Sequence, residues 1–189
     1  FLVGSIGAGV FGSARLVVGL YIIHVLAAAI TGLFFRVDGK CRGNAPAAPR
    51  ESGGALIESV RQAAQSILSV CGFIVCFCVI IGLLDAHGMF SLLAGQLAQI
   101  TGLELHAARA ALSGFLELGS GIGAMRGLAV SPANLAIAAG IVGWGGVSVH
   151  FQTYAVLADS DIKGGLHLAG RLINCAVSAT LGYIFGLLL

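Results

Sequence analysis

A chain of 189 residues that is 58% hydrophobic and only 10% charged departs sharply from soluble domains, which carry roughly 25% charged residues. With a mean hydropathy of +1.00, this composition excludes a soluble globular domain and predicts an integral membrane protein. The net charge of +2 is scattered and forms no basic patch, so lipid is the expected partner and nucleic acid is not.

The first segment, 1–36, opens on glycine-rich apolar sequence. It has neither a charged leading region nor a small-residue cleavage pattern, and reads as a trimmed chain rather than a signal peptide. Residues 16–35 supply the roughly 20 apolar residues that cross the hydrocarbon layer, with Arg15 and Arg36 at the ends. Segment 37–54 is polar, with Asp38, Lys40, Arg42, Arg50 and Glu51 among the turn formers Gly43, Asn44, Pro46 and Pro49. Four of the ten basic residues lie between Arg36 and Arg50, which places this loop in the cytoplasm.

Segment 55–104 begins with an amphipathic stretch, 55–66, followed by a second span at 67–84. Asp85, His87 and Gly88 then mark the opposite face, and 89–100 is apolar but too short to cross. The last segment, 105–189, contains two interrupted apolar stretches and a terminal span. Pro132, after Ser131, suits the first turn of a helix. Asp159, Asp161 and Lys163 form a polar turn before the span at 165–189.

The interruptions carry the functional reading. The first runs Ser113-Gly-Phe-Leu-Glu117-Leu-Gly-Ser-Gly121-Ile-Gly123; the second runs Gly143-Trp-Gly-Gly146-Val-Ser148-Val-His150-Phe-Gln152. A carboxylate at the centre of a spanning helix costs roughly 2.5–3.5 kcal/mol on insertion scales, so Glu117 should face protein or water. Non-helical backbone at that depth is tolerated where it lines a cavity or is buried in protein. Paired breaks with polar groups are how discontinuous helices build a solute site near the midplane. Glu117 either couples or binds a solute, or it caps a half-helix or pairs with an arginine such as Arg109. Ser148, His150 and Gln152 suit an uncharged polar solute better than a bare cation, although interhelical hydrogen bonding alone would also use them.

His167, Arg171, Asn174 and Ser178 fall on one face of the last span. This polar seam should face the bundle interior, with Arg171 a natural partner for Glu117 or Asp159. The five cysteines lie in or beside apolar segments and read as small hydrophobes. Asp85, His87 and His106 match no standard metal-ligand spacing, and no cofactor motif is present. Ser120 with His150 lacks the Gly-x-Ser-Gly pattern of an intramembrane serine protease, so no enzyme is expected.

Residues 111–152 resemble the Gate, or nucleoside-recognition, domain shared by nucleoside transporters and the membrane part of ferrous-iron transporters. Within that group they look most like sporulation integral membrane proteins of the YlbJ type. The residues that carry the resemblance are Ser113 to Glu117 with Gly121, then Gly143 to Gln152, especially Gly146, Ser148, His150 and Gln152. The glycines from Gly4 to Gly12 echo 140–148, as an internal repeat would. The chain departs from the family pattern after the glutamate, where Leu118, Gly119 and Ser120 replace the expected Thr or Asn followed by Gly.

The resemblance implies a bacterial membrane protein about twice this length, with a nucleoside-like solute and a role in transport or gating during sporulation. The resulting expectation is an all-α, polytopic bundle with broken or re-entrant helices, half of an internal-repeat transporter-like fold. Glu117, Gly121, Gly146, Ser148, His150 and Gln152 would form the site, supported by Arg171, Asn174 and Ser113. Homo-oligomers are compatible with this plan. The rival is a non-transporting scaffold needed for spore-envelope assembly, in which the breaks serve packing alone.

Overall fold

The computed structural model describes residues 9–35, 54–157 and 164–189. Most of the polar segment 37–54, the turn at Asp159, Asp161 and Lys163, and the start of the Gly4–Gly12 echo therefore lie outside the described residues. The described chain is all-α, with eight helices. These are α1 (Ala14–Phe34), α2 (Ala55–Ala86), α3 (Met89–Thr101), α4 (Leu105–Leu116), α5 (Leu118–Ala124), α6 (Pro132–Trp144), α7 (Val147–Leu157) and α8 (Gly164–Leu187). Four stretches are long and apolar enough to cross a membrane: α1, α2, α6 with α7, and α8.

Lipid tails are as apolar as leucine, so these helices associate through close approach of small residues rather than by escaping water. The α6–α8 pair is built that way. A methyl group placed on Gly143 would meet Ser178 Oγ at 2.6 Å, and one on Gly182 would meet the Leu135 carbonyl at 2.7 Å. One on Gly186 would meet Pro132 Cα at 2.5 Å. These contacts align α6 antiparallel to α8, and α6 is among the most buried helices. Leu135, Ala138, Ala139 and Ile141 join Leu16, Leu20 and Ile23 of α1 in the core. Ser131 caps α6 by accepting from the Asn134 amide at 3.2 Å, with Pro132 in the first turn.

The amphipathic stretch 55–66 and the span at 67–84 form without a break between them. α2 is one continuous helix of 32 residues, roughly 48 Å at ~1.5 Å per residue and longer than a ~30 Å hydrocarbon layer. Its first turns carry the exposed Glu58–Arg61 pair at 2.8 Å, and none of its residues is buried. It meets α7 through Phe73 and Phe77, whose rings lie 6.2 and 5.8 Å from that of Phe151.

Stretch 105–125 turns back on itself instead of crossing as one interrupted span. His106 Nε2 lies 2.8 Å from the Ala124 carbonyl, and a methyl group on Gly121 would collide with Gly114 Cα. Both contacts require α4 and α5 to run antiparallel as a re-entrant hairpin with Glu117 at its tip. α3 packs against α4, where Arg109 donates to Asp85 Oδ1 at 2.7 Å and Ser91 Oγ at 2.6 Å.

Candidate functional site

Glu117 separates α4 from α5 in extended conformation, and its carboxylate folds over the new helix. Oε1 accepts from the Gly119 amide at 2.9 Å and Oε2 from the Ser120 amide at 2.6 Å. Two otherwise orphaned donors at the start of α5 are thereby satisfied. The side chain is 4% exposed. This local capping explains why Glu117 pairs with neither arginine: Arg109 is held by Asp85, and both Glu117 oxygens already have partners. The expected Arg171–Glu117 pair is therefore absent.

The second break falls at Gly145 and Gly146, halfway along the 26-residue stretch Pro132–Leu157. Their φ values are +88° and +85°, a region that costs other residues about 1–2 kcal/mol. A methyl group on Gly146 would stand 2.9 Å from the Leu118 amide nitrogen, 3.2 Å from Glu117 Cα and 3.3 Å from the Leu116 carbonyl. The broken helix thus crosses the hairpin tip, backbone on backbone. Trp144 ties the crossing together, donating from Nε1 to the Phe115 carbonyl at 2.9 Å and stacking on the Phe115 ring at 5.4 Å.

Around this crossing the polar groups converge. Ser148 is fully buried and His150 is 4% exposed. His150 packs edge-on against Trp144, with ring centroids 4.2 Å apart. Its Nδ1 lies 3.3 Å from His167 Nε2 on α8. Asn174 donates to the Gly143 carbonyl at 3.0 Å, so it satisfies an orphan carbonyl at the end of α6, and accepts from Thr31 at 3.3 Å. Ser113 and Gly121 are buried within the hairpin, whereas Gln152 is only half-buried further along α7. Among the described residues, four buried side-chain polar atoms have no hydrogen-bond partner: His24 Nδ1, Ser148 Oγ, His150 Nε2 and Ser178 Oγ.

No family model, curated protein or solved structure matches this chain. Its site must accordingly be read from its own geometry.

A cavity of about 420 Å³ lies between α1 and α8, lined by Thr31, Phe35, His167, Arg171 and Asn174 among others. A second, of about 350 Å³, is apolar and lies between α4, α6 and α8, against Trp144, Phe115 and Cys175. Among the described residues, no three His, Cys, Asp or Glu side chains converge as metal ligands. Two contributors escaped the sequence reading. Trp144 joins the site through its indole N–H, which bridges the two breaks. His24, at the middle of α1, carried the one available signal, an imidazole inside an apolar span.

Proposed function

We propose that this membrane protein is a carrier or gate of the nucleoside-recognition type, moving a small polar solute past the crossing of its two helix breaks. The observation that carries this reading is the conjunction at Gly146. A re-entrant hairpin tip and a helix broken at mid-span meet there, beside buried polar atoms that have no protein partner. A buried hydroxyl without a partner costs roughly 1–3 kcal/mol, so a ligand that satisfies Ser148 Oγ and His150 Nε2 would recover that cost. Rocking of one bundle against the other around such a point exchanges access between the two faces. The resemblance of residues 111–152 to the Gate domain supports a nucleoside-like solute and a bacterial, sporulation-linked setting.

The scaffold reading has its own supporting observation: both oxygens of Glu117 and the indole of Trp144 are engaged in holding the breaks together. Ser148→Ala separates the two. The substitution removes a hydroxyl that bonds nothing in the protein, so melting should stay unchanged or rise slightly. The carrier reading expects saturable uptake in proteoliposomes, screened over nucleosides and bases, to be lost in this variant. Wild-type uptake in Ser148→Ala would remove Ser148 from the solute path, whereas no uptake of any solute by well-folded wild type would favour the scaffold.

A further inference from the structure

Arg171 is the one charged group on the four helices that surround the crossing from one side, apart from Arg15 at the far end of α1. Helices α1, α6, α7 and α8 contain no aspartate or glutamate, and Arg171 makes no ion pair among the described residues. It is half-buried, lines the 420 Å³ cavity and reaches the break itself. A methyl group on Gly145 would stand 4.0 Å from the guanidinium carbon. His24, His150 and His167 all lie within electrostatic reach of it.

An unpaired guanidinium inside a membrane protein is costly, and such groups face a partner, a cavity or a substrate path. None of the polar groups around it is a carboxylate among the described residues. The His150–His167 pair uses one ring N–H between its members and keeps one more for a ligand, α7 begins at the break with the positive end of its dipole, and Asn174 Oδ1 and the Gly143 carbonyl already accept hydrogen bonds. Among the described residues, the cavity therefore offers positive charge and an N–H donor with no counter-charge.

We infer that this cavity binds an oxyanion of the phosphate class, held by the Arg171 fork with His167 beside it and His150 behind. Guanidinium matches phosphate oxygens with two parallel N–H bonds. His167 lines the same cavity one turn before Arg171 on α8, so its ring can reach a further oxygen of a tetrahedral group. Phe35 and Leu166 line the same cavity at the ends of α1 and α8 nearest the basic segment 37–54, so the anion enters from the side that sequence assigns to the cytoplasm. The anion is either the phosphate of a soluble molecule or the headgroup of an anionic lipid. The site stands whether or not the chain moves a solute.

Trp144 is the single tryptophan, and its ring contacts that of His150, so intrinsic fluorescence reports on the site. The purified full chain in detergent would be titrated with inorganic phosphate, with chloride at matched ionic strength as the control. A parallel arm would use phosphatidylcholine nanodiscs with and without phosphatidylglycerol. A saturable change with phosphate identifies a soluble anion; one that appears only with phosphatidylglycerol identifies a headgroup. Arg171→Gln should weaken either response about 30-fold or more, the effect of truncating one member of a buried charge pair. Arg126→Gln, beyond the opposite end of α6, should leave it unchanged. If Arg171→Gln does not fold, His167→Gln should weaken binding in its place. No saturable response in either arm, or binding by the folded variant equal to wild type, would overturn the assignment.

Discussion

Replacing Gly146 with alanine, with Gly145→Ala as its companion, tests the crossing of the two breaks most directly. Both glycines have φ near +85° to +88°, so both alanines bear the left-handed penalty of about 1–2 kcal/mol. Only their surroundings differ. At Gly145 the added methyl group meets nothing closer than Val149 Cγ1 at 3.7 Å, an ordinary contact. At Gly146 it meets backbone at 2.9, 3.2 and 3.3 Å, and backbone at a hairpin tip cannot yield as a side chain does. Overpacking of that kind adds about 1–3 kcal/mol. Gly146→Ala should therefore be the more destabilising variant by that margin.

At ~2–4 °C per kcal/mol for a chain of this size, Gly145→Ala should lower Tm by ~2–8 °C. Gly146→Ala should lower it at least ~2 °C further. Thermal unfolding in one detergent, followed by circular dichroism, measures both. Equal losses would mean that the breaks do not touch, and the crossing would have to be abandoned.

Other perturbations probe single bonds. Glu117→Gln keeps one acceptor oxygen over α5 and loses the other, so it should cost about 0.5–2 kcal/mol, measured by the same melting. Trp144→Phe preserves the stack on Phe115 but removes the donor to its carbonyl, and should cost about 1–3 kcal/mol in denaturant titration. Asp85→Asn should change stability by less than about 1 kcal/mol, because the Arg109 pair is partly exposed. A loss well above that would give the α2–α4 contact a larger role than its geometry implies.

Much of this architecture is legible in the chain because each helix must satisfy a hydrocarbon-length rule that local composition expresses directly. The spans at α1 and α8, the short α3 and the break at Gly145–Gly146 all follow from apolar length and glycine placement. So does the interior-facing seam, since Asn174 and Ser178 are buried against α6. α2 runs unbroken through the amphipathic and apolar stretches because they share one helical period, and nothing in the sequence stops the helix between them.

Tertiary structure alone decided what happens after Glu117. A glutamate followed by Leu118, Gly119 and Ser120 permits both a kinked span and a reversal. The antiparallel contact of Gly121 with Gly114, a non-local event, selects the reversal. The fate of Glu117 follows from that choice, because its carboxylate takes the nearest free amides before any arginine can reach it. Arg171 is consequently left without a carboxylate among the described residues. Its pairing depends on which helices surround it, and periodicity along a single helix carries no information about charge on the others.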